Sequence, residues 1–278
     1  MLLLLLMVPL AAALACACTD GRRADWLASA AMVVTAVLTL ASAPWGGKVA
    51  ASALTWSPLP GMTFGLRLDG LGSLLALVVS LVGLCIVVYS ADYFSLRNRE
   101  HPEEEGKGRY YFFFLVFVTA MLGMAMAPDF FQIFLFWELT TVCSWALISH
   151  YGSSESIRSG LKAMAVTQFA SLFFIGGLVL LYVQTGSFGF DAVARMTPGG
   201  RAAFAMLLLV AAWGKAAQVP FFTWLPSAMV APTPASAFLH AAAMVKAGIF
   251  LAARCLVSTG AFSGWVAAVI TVAALITL

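Results

Sequence analysis

The stretch LLLVAAWGKAAQVPFFTWLP, residues 207–226, decides the fold. It is apolar enough to enter lipid, yet it carries Lys215 and two prolines, Pro220 and Pro226. The run around it extends from Arg201 to Met229, 29 residues, where one simple span takes roughly 20. Each proline removes a backbone donor and clashes with the preceding turn. Pro232 and Pro234 then close the segment in VAPTPAS, residues 230–236. The spacing predicts a discontinuous helix. Inside a bilayer, broken backbone survives only where protein or a water-filled cavity satisfies it, and such breaks mark substrate and ion sites in transporters.

Outward from this stretch, the composition points the same way. Of 278 residues, 62% are hydrophobic and 10% are charged. A soluble domain runs near about 45–50% and about 25%. With a mean hydropathy of +0.97, a soluble globular reading is excluded. The net charge of +3 is too small to argue for nucleic acid. Cys16, Cys18, Cys85, Cys143 and Cys255 all fall inside apolar runs, which argues against a disulfide framework and against a metal site. No catalytic or phosphate-binding motif is present, and no polar domain could hold a soluble cofactor, so neither an enzyme nor a cofactor is expected.

The reading is therefore an all-α, polytopic transmembrane helix bundle with about nine spans and a discontinuous seventh helix. The spans fall at about 1–18, 24–43, 70–95, 110–127, 129–150, 160–185, 201–229, 233–257 and 262–278. The first run lacks a positive region before its apolar stretch, and Arg22 and Arg23 follow it, so it reads as a span rather than a signal peptide. With the N-terminus outside, the inner loops hold Arg22, Arg23, Arg97, Arg99, Lys107, Arg109, Arg158 and Lys162. The outer side holds Lys48, Arg67, Arg195, Arg201 and Arg254. That bias favours the N-terminus outside. The charge run 97–109, with His101 and Pro102, reads as a solvated connection.

The informative residues are those that do not belong in lipid. Glu138, in FFQIFLFWELTTVCSWALIS (130–149), lies nine residues past Asp129, so about 13 Å along its helix. Lys215 lies 14 residues beyond Arg201, about 21 Å along its axis. His240 and Lys246 share the eighth span, in SAFLHAAAMVKAGIFLAAR (236–254). Six residues separate them, about 9 Å in rise and about 120° in angle, too far for a direct bond within one helix. A charge at the bilayer centre costs about 2.5–3.5 kcal/mol unless it pairs or meets water. A lysine and a carboxylate whose separation changes can load and release a proton. The plain alternative is a buried ion pair that clamps helices in a structural scaffold. Trp137, Trp145, Trp213 and Trp224 read as packing, and Gly176, Gly177, Gly214 and Gly248 as close helix contacts. Asp69 and Asp92 read as interfacial anchors.

At these residues the chain resembles a known family. FWELTT (136–141), GKAAQVPFFTWLPSAM (214–229) and APTPASAFLHAAAMVKAGIF (231–250) are similar to its signature blocks. LDGLGSLLALVV (68–79) and YSADYF (89–94) look like its third span. The family comprises the antiporter-like proton-translocating subunits of respiratory complex I and of Mrp-type multisubunit cation/proton antiporters. Lysine in MVKAG (244–248) makes the chain more similar to the A-type subunit of the Mrp antiporter. The resemblance implies a relay: Glu138 modulates Lys215, and His240 and Lys246 pass the proton laterally. Ser227 and Val230 stand where the family has, or often has, carboxylates, which weakens any cation-binding role for that loop. The family continues with a second, inverted set of helices, whereas this chain stops in VAALITL (272–278), as a fragment of a longer subunit would.

The expectation is a membrane subunit of a multisubunit Na⁺/H⁺ (or other monovalent cation) antiporter. It would sit in the cell membrane beside other Mrp-type subunits, with protons and Na⁺ as its partners along with the lipid bilayer. Residues 1–109 would form three N-terminal spans and a charged loop, 110–258 the proton half-channel, and 259–278 the start of a further span. The runner-up is a proton-pumping subunit of complex I, a membrane hydrogenase or an inorganic-carbon uptake complex.

Overall fold

Five helices start on residues chosen to satisfy their first N–H groups. Asp20 caps α2 (Gly21–Ser42), Asp69 caps α3 (Gly70–Tyr93) and Asp129 caps α5 (Phe130–Ile148). Ser153 caps α6 (Ser154–Thr185) and Thr197 caps α7 (Pro198–Lys215). In the last four the cap oxygen accepts from the N–H three residues on, at 2.7–3.1 Å. Each such cap is worth about 1 kcal/mol. The helices before and between these are α1 (Leu2–Ala17) and α4 (Lys107–Ala125). In this computed structural model the described residues are 1–44, 50–57, 61–95 and 106–277, with backbone alone for 50–55. His101 and the acidic run before Gly106 lie outside them, as do Arg97, Arg99 and Lys48.

Helix α4 is the hub. Tyr110, Tyr111, Phe114, Phe117 and Met121 are fully buried on it, and α1, α2, α3 and α5 pack around it. The expected loop to residue 109 ends earlier, because Lys107 belongs to α4 and is buried at 4% exposure. Its ammonium bonds Asp25 of α2 at 2.9 Å, which is what allows a lysine there. On the other flank, α7 lies between α6 and α10 (Met244–Thr259). Small residues set that approach: a Cβ on Gly214 would strike Ala170, and one on Gly248 would strike the Ala212 carbonyl. Gly177 is likewise closed by Leu208, whereas Gly176 leaves ordinary room beside Leu207.

The break in the seventh span falls earlier than the prolines suggest. Helix α7 ends on Lys215 itself, and Ala217 adopts a left-handed φ of 51°. Pro220 lies within the unwound stretch, whereas Pro226 lies inside the one-turn helix α8 (Trp224–Ser227). Pro232 caps the short helix α9 (Thr233–Ala237). A π-turn over Phe238–Ala242 joins α9 to α10, so His240 and Lys246 are not related by regular α-helical phase. Helix α11 (Gly264–Thr277) follows, exposed along most of its length.

The fold is a bundle of membrane helices, with two departures from expectation. Among the described residues, six helices rather than about nine are long and apolar enough to cross a bilayer. Leu2–Ala17, Phe221–Val230 and Gly264–Thr277 are apolar but shorter. The bundle also carries a two-stranded antiparallel hairpin, β1 (Ala50–Trp56) and β2 (Phe64–Leu68), where no strand is expected from the sequence. Counting apolar runs overlooks elements this short. The hairpin is held where α5 starts: Gln132 exchanges two bonds with Gly65, at 2.9 and 3.1 Å, and Thr63 N–H donates to Asp129 at 3.0 Å.

Candidate functional site

Lys215 is the last residue of α7, and its side chain is completely buried. A cation at this position complements the negative end of the helix dipole. Its ammonium donates to the Trp137 carbonyl and to the Thr140 hydroxyl of α5, and lies 4.1 Å from the centroid of the Trp137 ring. The Thr140 hydroxyl in turn donates to the Trp137 carbonyl at 2.7 Å. The indole N–H of Trp137 is fixed on Ser171 of α6 at 2.9 Å. One turn of α5 thus supplies a carbonyl, a hydroxyl and a π face to one ammonium. Charge-assisted bonds and a desolvated cation–π contact are among the stronger polar interactions.

Glu138, the neighbour of Trp137, does not share this pocket. It faces a recess of about 370 Å³ between α5 and α6, with Phe134, Gln168 and Ser171 in its lining. Its Oε1 is buried with no hydrogen-bond partner among the described residues, as is Oε1 of Gln168. The ion pairs among the described residues are Lys107–Asp25 and Arg254–Asp69, so the structure does not bring Glu138 and Lys215 into a salt bridge.

His240 lies beside Trp224, which reaches the backbone of Gly214, the residue before Lys215. The Trp224 indole N–H donates to the Gly214 carbonyl at 2.8 Å, satisfying an acceptor left open where α7 stops, and its ring centroid lies 6.0 Å from that of His240. Both ring nitrogens of His240 are buried without a hydrogen-bond partner among the described residues. Lys246 is not joined to this group by any hydrogen bond among the described residues. It lines an apolar groove between α3 and α10, beside Leu71, Leu75 and Phe250.

By sequence alone Trp137 and Trp224 read as packing, and Thr140 has no role. A hydroxyl pair directly after a buried carboxylate, in WELTT, is the available signal for Thr140. The buried pair of Arg254 with Asp69 is also absent from the sequence reading. Arg254, also stacked over Phe190 at 4.8 Å, makes two bonds to the Asp69 carboxylate that caps α3. Burial pushes the Asp69 carboxyl up, but Arg254 and the Gly72 N–H outweigh it and hold it below its ordinary value. At Asp129 the balance goes the other way: burial outweighs its N–H bonds and raises the carboxyl.

Comparisons with known proteins agree with this architecture. The family described as NADH:quinone oxidoreductase/Mrp antiporter, TM, matches residues 127–278. That described as NADH-Ubiquinone oxidoreductase (complex I), chain 5 N-terminus, matches residues 56–111. The A1 subunit of the Na(+)/H(+) antiporter of Staphylococcus aureus, in strains JH9 and N315 alike, is 40% identical over 248 residues, 87% of this chain and 30% of the relative. The chain thus spans about a third of the length of these curated relatives. The structure of the Mrp complex from Dietzia sp. DQ12-45-1b superposes with a TM-score of 0.81 at 34% identity, over 93% of this chain and 28% of that one. A chain of the membrane-bound sulfane sulfur reductase, an archaeal respiratory membrane complex, shares the fold with a TM-score of 0.80 at 21% identity, over 96% of this chain and 55% of that one. Broken helix, buried lysine and family match converge: this chain belongs to the NADH:quinone oxidoreductase/Mrp antiporter family of membrane proteins.

Proposed function

We propose that the chain is the proton-conducting part of an Mrp-type Na⁺/H⁺ antiporter subunit, working beside other membrane subunits in the cell membrane with its N-terminus outside. Residues 110–258 form the half-channel, 1–109 flank it, and 259–278 begin a further span. The observation that carries the reading is the Lys215 ammonium, wholly buried at the point where α7 breaks and held, among the described residues, by a carbonyl, a hydroxyl and an indole face rather than a carboxylate. A structural clamp would place a carboxylate on it. Instead Glu138 is near in sequence to its partners but in no ion pair among the described residues, so it biases Lys215 through space, and a small movement of either side chain changes the proton's stability on the lysine. Trp224 and His240 continue the path from the break toward Lys246. The 40% identity to subunits named as Na(+)/H(+) antiporters favours the antiporter over a complex I-type pump, the second reading.

The test is Lys215→Ala in the assembled complex. Thr140 keeps its bond to the Trp137 carbonyl without the lysine, so assembly should persist while sodium-driven proton flux disappears. Wild-type flux from a verified, assembled variant would remove Lys215 from the path.

A further inference from the structure

Arg22 and Arg23 occupy the first turn of α2, where the positive end of the helix dipole disfavours cations. Among the described residues, the nearby carboxylates of Asp20 and Asp25 are already engaged. Asp20 accepts from the N–H groups of Gly21, Gly106 and Gly108, and Asp25 accepts from Lys107 at 2.9 Å and from the Tyr111 hydroxyl at 2.8 Å. Both arginines are exposed, and neither is in an ion pair among the described residues. Asp92 is exposed at the far end of α3 but does not line the space beside them. Among the described residues the result is a positive site without an ion-pair partner at one end of the bundle.

Beside it, α2 and α3 enclose a groove of about 490 Å³ lined by Arg22, Asp25, Trp26, Ser29, Val88 and Ala91. Arg22 and Ser29 offer donors there, while Trp26, 77% exposed, lays an indole at its edge. Farther along the same helices the surface is aliphatic and exposed, with Val33 and Val37 on α2 and Leu81 on α3. A guanidinium fork matches phosphate oxygens, and tryptophan favours the headgroup level of a bilayer. A cationic, hydrogen-bonding end that runs into an aliphatic furrow has the polarity of one phospholipid molecule.

We propose that this α2–α3 groove binds an anionic phospholipid, its phosphate on Arg22 with Arg23 adding charge, and an acyl chain along Val88 and Val33. A choline headgroup is disfavoured because its ammonium would face two arginines. The site uses none of the proposed relay residues and stands apart from the transport reading.

The test is quenching of Trp26 by acyl-brominated lipid, with the chain reconstituted in vesicles. The Trp26 signal is isolated by subtracting a Trp26→Phe variant. Brominated phosphatidylglycerol in a phosphatidylcholine bilayer is compared with the same fraction of brominated phosphatidylcholine in a phosphatidylglycerol bilayer. Each arginine near the surface should enrich the anionic lipid about fivefold. Trp26 should therefore be quenched more strongly by the brominated phosphatidylglycerol, and Arg22→Gln/Arg23→Gln should abolish the difference. Trp265, exposed on α11, should show no preference. Equal quenching of Trp26 by both lipids, or a preference retained in the double variant, would overturn the assignment. A preference shared by Trp265 would reduce it to general surface charge, and loss of the preference on adding inorganic phosphate would make the groove a free-phosphate site; either result overturns the lipid site.

Discussion

Replacing Asp69 by Asn tests whether a single buried pair anchors the far end of α10. Asparagine caps a helix about as well as aspartate, so the bond from Gly72 N–H is kept and only the charge is lost. The Arg254 side chain, 5% exposed, is left stacked on Phe190 and Phe250 with no counter-charge. Breaking a buried pair in this way costs about 3–5 kcal/mol. Asp69 is itself 20% exposed, so water can reach the site and the lower end applies, about 3 kcal/mol. For a chain of this size that lowers the melting midpoint by about 6–12 °C. The assay is thermal unfolding in detergent, wild type against Asp69→Asn at neutral pH. The pair also has a pH signature: Asp69 is held below its ordinary value, so its contribution is present above the unfolded value near 3.9 and is lost as pH falls through the lower folded value. A double variant, Asp69→Leu/Arg254→Met, removes both charges and should melt closer to wild type than Asp69→Asn does. If Asp69→Asn melts within about 2 °C of wild type, under about 1 kcal/mol, the pair does not anchor α10 and the reasoning fails.

Three further outcomes are expected. His150 lies among Phe94, Tyr110 and Tyr151, where burial, and secondarily the charge of Arg109, push it down to about 4. Its neutral form is favoured in the fold, so stability is full above about 6.5 and falls by about 3 kcal/mol as pH drops toward 4. His150→Phe should flatten the melting midpoint between those pH values, and an unchanged slope would assign the acid sensitivity elsewhere. Thr140→Val removes one of the two oxygens that hold Lys215 and should lower proton flux about tenfold or more, a loss of about 1.5–3 kcal/mol, while Thr140→Ser restores it. Equal flux in Thr140→Val and wild type would show that the hydroxyl is dispensable. Gly214→Ala drives a methyl into Ala170 and should cost about 1–3 kcal/mol in detergent melts. A neutral effect would mean that α6 and α7 separate freely.

The membrane class, the helix break near Lys215 and the unusual intramembrane charges were legible in the linear order, because span length and the cost of a charge in lipid are local properties. The family resemblance rested on the same local blocks. What each charge touches was not legible. Glu138 and Trp137 are adjacent in sequence, but one residue turns a side chain about 100° around a helix. That rotation puts the tryptophan on Lys215 and the carboxylate in the α5–α6 recess. The Asp69–Arg254 pair joins residues 185 apart, and neither segment alone announces it. The position of the break was also set in three dimensions. Prolines marked where a helix could not continue, but α7 stops at Lys215, where Trp224 takes the Gly214 carbonyl and Thr140 and the Trp137 carbonyl take the ammonium. Sequence determined which groups had to be satisfied in lipid, and the packing of α5, α6 and α7 decided which partners satisfy them, since hydrogen bonds and charges act over a few ångströms and only the folded chain sets those distances.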